Sequence, residues 1–362
     1  MRLLILSLTS DPHLPTFRGI FGEDQLMKRL LLATVLSAIA VLLISCGGNR
    51  KNLLVGPNGQ PLHNAKGCDT THDPSCSVLM VTQSDGTSVV RYYVLHIPAN
   101  FPATSGALVV ALHGTGESAL EYQTHTLMNN TADADGFAVA YPEALDAPRR
   151  ENLRQWNFYF NGAHSDTDTS PDDVAFLRQL ITSLQATLQA DPKKIYVTGT
   201  SAGGLMAIRV GVELSDLVAA IAPLSGSLRQ GGIGVAVPAA RGPVSVIMLH
   251  ADRDQILPYC GGYGADSQDT TFNYWVAADT ASTLDTTTAL CDGNGNPTSV
   301  NEKDATGGAS NTEVKFYRLI GADHFAVYNN ADLSLYNPNF NSTTGVLSND
   351  IVWKFFAAHP KP

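Results

Sequence analysis

Residues 195–210, IYVTGTSAGGLMAIRV, change character at their centre. Ile195, Tyr196 and Val197 suit a buried strand, whereas Leu205, Met206 and Val210 recur at helical spacing. Gly199-Thr200-Ser201-Ala202-Gly203 therefore falls at a strand-to-helix junction, the context that a G-x-S-x-G elbow requires. The turn holds its serine in a strained conformation, and glycines two residues to either side leave room for the chain to reverse. A helix beginning just after Ser201 aims backbone N–H groups at the serine oxygen, which favours negative charge developing there. Ser201 is thus a candidate nucleophile. The competing possibility is a tract of small residues that merely joins a strand to a helix, and the rest of the chain discriminates between the two.

A serine hydroxyl becomes a good nucleophile only when a base takes its proton and a carboxylate orients that base. On a sheet with this elbow the chain order is Ser, then Asp or Glu, then His. Of ten histidines, His250, His324 and His359 follow Ser201. His359 sits in AAHPKP at the chain end, among prolines, and reads as a solvated terminus. His324 lies in LIGADHFAVY, in a loop directly after a strand ending near Leu319, and is the candidate base. For the acid, VSVIMLHADRDQILPYCGG (244–262) reads as a buried strand ending at His250, followed by Asp252 and Asp254 at the carboxyl edge of the sheet, where open α/β sheets bind ligands. Either aspartate could face His324; Asp323, its sequence neighbour, is disfavoured. Upstream, the strand Val109-Val110-Ala111-Leu112 ends in His113-Gly114-Thr115-Gly116-Glu117. Glycines there let the backbone turn its N–H groups toward a ligand, so the Thr115 and Ala202 N–H groups are candidate oxyanion donors and His113 reads as structural.

The chain has 362 residues, 33 acidic against 23 basic, and a formal charge of −10. Without a basic footprint nucleic acid is excluded as a partner. Met27-Lys28-Arg29, the apolar stretch of residues 30–44 and Ser45-Cys46 read as an export signal, too short for a membrane span of ~18 or more residues. Residues 1–26, with Asp11, Pro12 and Pro15, make a poor signal, which points to Met27 as the start of translation. Leu43-Ile44-Ser45-Cys46 resembles a bacterial lipobox, which implies cleavage before Cys46 and lipidation of its sulfur; the expected location is the cell envelope or the medium. Residues 46–66, rich in Gly, Asn and Pro, read as a lipid-anchored tether, and 67–362 as one domain. In an oxidising compartment Cys68, Cys76, Cys260 and Cys291 are expected to form two disulfides, Cys68–Cys76 on proximity and Cys260–Cys291 by elimination. No Cys or His pairs stand at zinc spacing, and no metal or cofactor is expected.

Strands are predicted over 89–97, 107–112, 137–141, 195–199, 219–224, 244–250 and 313–319, several of them continuous apolar runs of the kind buried on both faces. Val174, Leu177, Ile181, Leu184 and Leu188 define a helix with Ser170 as N-cap and Pro171 at its first position. Further helices are predicted over 118–130, 202–214, 271–283 and 349–358. Alternation of this kind gives an α/β class with a mostly parallel sheet covered on both faces.

VVALHG (109–114), YPEA (141–144) with Trp156 beyond it, DDVAFLRQLI (172–181), DPKKIYVTGTSAGGLMA (191–207), HADRDQILPYCGG (250–262) and GADHFA (321–326) together resemble the esterases related to poly(3-hydroxybutyrate) depolymerases and feruloyl esterases. The resemblance covers roughly residues 89–330 and implies the α/β-hydrolase fold. The family's HGxxDxxVPY segment aligns from His250, which places its catalytic aspartate at Asp254, its late histidine at His324 and its nucleophile at Ser201. The sequence departs from the pattern in three places. Ala251 replaces the usual glycine, Phe325-Ala326 stand where Thr-Trp-Pro is frequent, and Thr115 stands where cysteine is common.

The expected function is that of an exported serine esterase whose substrate is a feruloyl or related ester of plant polysaccharide, or alternatively a poly(3-hydroxybutyrate) chain or oligomer. Trp156, Tyr259, Trp275 and Phe325, with Phe272 and Tyr274, are candidate substrate walls. A non-catalytic surface-binding protein on the same scaffold would be signalled by a missing triad member, and none is missing. A peptidase on this fold usually brings a large N-terminal domain, for which residues 47–88 are too few.

Overall fold

Apolar runs in the middle of the chain become the inner strands of one ten-stranded sheet in a computed structural model, which describes residues 75–146, 153–160, 171–228, 237–328, 330–340 and 346–362. The export signal, Cys46, the tether and Cys68 lie outside these residues. The strands are β1 (Cys76–Thr82), β2 (Ser88–His96), β3 (Leu108–Leu112), β4 (Ala138–Pro142), β5 (Ile195–Thr200), β6 (Ala220–Leu224), β7 (Ser245–Ala251), β8 (Thr283–Leu284), β9 (Glu302–Thr306) and β10 (Val314–Leu319). They lie in the order β1-β2-β4-β3-β5-β6-β7-β10-β9-β8. From β4 to β10 in that order neighbours run parallel, while β1 and β2 close one edge, and β9 and β8 the other, antiparallel. This strand order, with β2 antiparallel beside β4, is that of the α/β-hydrolase fold. Every residue of β3 to β7 is buried, because helices cover both faces.

The helices are α1 (Ala119–Thr126), α2 (Met128–Asp135), α3 (Asp173–Leu188), α4 (Ala202–Glu213), α5 (Gln268–Ala278) and α6 (Ser348–Ala358). Side chains alternate along the strands between two cores. Leu108, Val110 and Leu112 meet α3, α4 and α5, whereas Val109 and Ala111 meet α1, α2 and α6. The predicted 118–130 helix is two helices, because Leu127 adopts a left-handed conformation (φ 53°) that ends α1 and starts α2. Asp172, rather than Ser170, caps α3, its carboxylate accepting the Ala175 N–H at 2.9 Å. Strands β1, β8 and β9 are additional to those predicted. They sit at the edges, where β1 and β9 mix exposed with buried positions and β8 is only two residues long.

Two links bind the flanks to the sheet. Arg91 of β2 is buried beneath α3, donating to Asp173 Oδ1 at 2.7 Å and to Glu143 O at 3.1 Å, with its guanidinium 3.9 Å from the centre of the Phe176 ring. The expected Cys260–Cys291 disulfide is present, its Cα atoms 5.7 Å apart. Cys76 is also disulfide-bonded.

Asp279, which ends α5, is buried beneath the start of β7, where it accepts the Val244 N–H at 2.9 Å and leaves its second oxygen without a donor among the described residues. Burial pushes its carboxyl up to about 7, with the Val244 bond only partly opposing. The unfolded chain releases this proton near the ordinary value of 3.8, so between about pH 4 and 7 it ionises before the folded chain does. Asp279 therefore costs stability progressively across that window. Asp279→Asn keeps an acceptor for Val244 without the charge, so its melting temperature should rise relative to the parent chain between pH 4 and pH 8. Thermal melts of both proteins at the two pH values check this, and a constant difference would contradict it.

Candidate active site

Close packing of β5, β3 and α4 creates the serine's conformation. A Cβ on Gly203 would run into the Leu112 carbonyl, and one on Gly199 would stand 2.5 Å from Gly203 O, so the first turn of α4 seats directly on the end of β3. The chain must then reverse within one residue. Ser201 does so at φ 57° and ψ −118°, with its N–H bound to Leu224 O of the neighbouring strand at 3.0 Å. It makes no side-chain cap to α4, which leaves its hydroxyl free to face the carboxyl edge of the sheet.

His324 meets that hydroxyl from the loop after β10. Its Nε2 is 2.8 Å from Ser201 Oγ and its Nδ1 2.6 Å from Asp254 Oδ2. The carboxylate can only accept, so Nδ1 carries the proton and Nε2 presents its lone pair to the serine O–H. Asp254 is held on both oxygens: Oδ1 accepts the Ile256 and Leu257 N–H groups at 2.8 Å each, and Oδ2 also lies 3.3 Å from His250 Nε2. Burial alone would push this carboxyl up. The hydrogen bonds from His250 and His324 outweigh it and hold Asp254 well below the usual carboxylate range. The acceptor facing Nδ1 is thus a carboxylate at any pH near neutrality.

Asp252, the rival acid, is occupied elsewhere. Its carboxylate accepts Arg318 Nη2 at 2.7 Å and Nε at 3.0 Å, and the Gly321 N–H at 2.7 Å, which clasps the loop after β7 to the loop that carries His324. Asp323 is exposed and caps the Phe325 N–H, and His359 pairs with Glu313 at the end of α6. His113 is structural: its Nε2 accepts the Ala144 N–H at 3.0 Å and its Nδ1–H donates to Gly114 O at 2.7 Å. Burial lowers its basicity, in keeping with a neutral ring.

The HGTG loop is built around one free donor. Gly114 N–H is bound by Glu117 Oε2 at 2.8 Å and Gly116 N–H by Arg154 O at 2.8 Å, while Thr115 Oγ1 donates to Gln155 Oε1 at 2.6 Å. Among the described residues the Thr115 N–H meets no acceptor. Ala202 opens α4 beside Ser201, so its N–H belongs to the unpaired first turn.

Four of the expected substrate walls are core instead. Trp156 is fully buried, its Nε1 donating to His113 O at 2.9 Å, so that it props the HGTG loop from behind. Trp275 is fully buried against Gly211 of α4, where a Cβ would stand 2.8 Å from its ring. Tyr259 is buried edge-on to His250 and Phe316 behind the acid loop. Phe272 is likewise fully buried. Their aromatic area is spent on packing, which periodicity alone does not distinguish from a pocket lining. Phe325 remains half-exposed, edge-on to His324 with ring centres 5.4 Å apart. Two neighbours of the site escaped the sequence reading. In the sequence His250 reads only as the end of a strand, and Tyr328, buried with its ring centre 6.1 Å from that of His324, has as its one signal a place in the same turn as the histidine. Among the described residues no group of His, Cys, Asp and Glu could hold a metal ion, and no helix is long and apolar enough to cross a membrane.

Residues 91–247 match the family described as Esterase PHB depolymerase. The chain is 32% identical over 206 residues to a putative esterase, NocK, of Nocardia uniformis subsp. tsuyamanensis, covering 56% of each protein. It is 28% identical over 175 residues to feruloyl esterase B of Piromyces equi, covering 48% of this chain and 31% of that protein. The chain thus spans about half the length of the first relative and a third of the second. Among solved structures, an acetyl xylan esterase from Aspergillus awamori superposes with a TM-score of 0.48 at 16% identity, over 78% of this chain and 99% of that one.

A fluorophosphonate probe should label the chain at Ser201 and leave Ser201→Ala unlabelled. Asp254→Asn should slow labelling by about 10⁴-fold, the cost of presenting the wrong imidazole tautomer, whereas Asp252→Asn should leave labelling near the parent rate and lower the melting temperature. Mass spectrometry of the labelled peptide and thermal melts read both effects.

Proposed function

We propose that the protein is an exported serine carboxylic-ester hydrolase. The observation that carries this reading is the continuous hydrogen-bonded line from Asp254 through His324 to a serine held on a strained elbow. Ser201 Oγ attacks the ester carbonyl while its proton passes to His324 Nε2, and Asp254 stabilises the imidazolium that forms. The Thr115 and Ala202 N–H groups receive the oxyanion, and each such donor is worth about 10²–10³ in rate. Collapse expels the alcohol with the proton returned by His324, and water resolves the acyl-enzyme by the same steps in reverse. Every group required is supplied by the chain, so no cofactor takes part.

Two considerations support the substrate class. The relatives include a protein named feruloyl esterase, and the half-exposed Phe325 stands beside His324, where an aromatic acyl group could stack. We assign feruloyl or related esters of plant polysaccharide as the substrate, with poly(3-hydroxybutyrate) oligomers as the alternative that the family match favours. Export is supported by the Cys260–Cys291 disulfide and by the signal read over residues 1–45. In this scheme Cys46 carries the lipid, residues 46–66 tether the enzyme to the membrane, and 67–362 form the single esterase domain.

The chain from Gly47 onward, prepared with its disulfides intact, should release ferulate from methyl ferulate, and Ser201→Ala should abolish release, approaching the ~10⁶-fold loss typical of hydrolase nucleophiles. Chromatographic assay of free ferulate reads the outcome. Release of hydroxybutyrate from a 3-hydroxybutyrate trimer without release of ferulate would transfer the assignment to the polyester class. Inertness toward both in a folded preparation would overturn the esterase assignment.

A further inference from the structure

Tyr328 is buried (6% exposed) in the turn that follows His324, where its N–H binds Phe325 O at 3.1 Å. Its ring packs against those of His324 and Phe325. Its hydroxyl is pressed against the HGTG loop, because a Cβ on Gly114 would stand 2.6 Å from the Tyr328 oxygen, and only glycine leaves that space. The same phenol interacts with the Ser201 side chain. Ser201 donates its proton to His324 Nε2, so toward the phenol its oxygen presents only lone pairs. A neutral O–H donor therefore stands beside the catalytic histidine and against Gly114, the residue before Thr115 in the HGTG loop. Burial pushes the phenol well above its ordinary range, the nearby Glu117 carboxylate adds to this, and the tyrosine keeps its proton.

We propose that the Tyr328 hydroxyl is a third oxyanion donor and hence a catalytic residue of this site, a role that rests on the serine-esterase reading above. Attack forms the bond between Ser201 Oγ and the acyl carbon, moves the serine proton to His324 Nε2, and places the carbonyl π pair on its oxygen. Oγ loses acceptor strength as it becomes an ester oxygen, while the former carbonyl oxygen gains a full charge within reach of the same donor. Tyr328 keeps its proton and gives only a hydrogen bond to the oxyanion. The interaction is thus stronger in the transition state than before it, the condition for raising kcat rather than lowering KM.

Tyr328→Phe retains the ring and removes the donor. On p-nitrophenyl butyrate it should lower kcat by about 10²–10³ with KM changed by less than about threefold. Binding of phenylboronic acid, which forms a tetrahedral adduct on the serine, should weaken by a similar factor. A folded variant with the parent kcat, or one altered in KM alone, would show that the tyrosine only fills space and would overturn the proposal. Should Tyr328→Phe fail to fold, Gly114→Ala keeps the phenol but forces its hydroxyl away from the loop. It should lose kcat and boronate affinity together, and wild-type values there would equally overturn the proposal. Parent chain and Ser201→Ala assayed alongside separate the two readings. A parent without serine-dependent turnover defeats both, whereas a fully active parent with a fully active Tyr328→Phe defeats only the role of the tyrosine.

Discussion

The close approach of α4 to the end of β3 is the constraint on which the rest of the site depends. Two glycines bring the first turn of the helix against the Leu112 backbone, and no side chain could be inserted between them. The serine between those glycines is driven into a conformation that an L-residue otherwise avoids. That strain is sustained by fully buried strands on either side, whose packing outweighs the one to three kcal/mol that such a residue is estimated to cost, roughly. The close approach also brings the ends of β3 and β5 into one place, so the loop carrying Thr115 and the turn carrying Ser201 become neighbours without direct contact between their side chains being needed.

Around this fixed point the remaining groups are delivered by hydrogen bonding of the loops rather than by regular structure. His113 and Trp156 bind the HGTG loop from behind, through Gly114 O and His113 O. Asp254 bends its own loop by accepting two backbone N–H groups, and the oxygen left over faces His324. One carboxylate thereby shapes a turn and orients an imidazole. His250, at the end of β7, shares the same oxygen, so the acid is surrounded by donors although it is almost entirely removed from water.

Much of this was legible in the sequence, for reasons specific to each element. The inner strands β3 to β7 are continuous apolar runs because both faces are covered, and their ends could be placed within a residue or two. The elbow was legible because turn sterics demand glycine at fixed spacing, and the order of serine, acid and histidine narrowed ten histidines to three, of which only His324 lies in a loop directly after a strand. Edge strands were not, since β1 and β9 mix exposed and buried positions and β8 is a two-residue pair exposed at both. Choosing Asp254 over Asp252 needed the family resemblance, because both follow the same strand and the Arg318 partner of Asp252 lies 66 residues away. Aromatic residues misled in both directions. Trp156, Trp275 and Tyr259 are bulky enough to line a pocket but are packed inside, while Tyr328 gave no pattern of its own because its position is set by a turn and by a glycine far away in sequence.

The clasp between Asp252 and Arg318 joins neighbouring parallel strands, β7 and β10, at the level where Arg318 stands opposite His250 in the register. The loops that carry the acid and the histidine are therefore fastened to each other just below the point where they leave the sheet. Relative motion of the two would have to break an ion pair held by two hydrogen bonds on one carboxylate oxygen, and a backbone N–H bond to the other, before the histidine could drift from its carboxylate. Heating such a molecule would leave the spacing of its reactive groups intact until the sheet itself gives way. Loss of competence and loss of fold are then one cooperative event, and the working range of the protein is set by its global stability rather than by local loosening of the site.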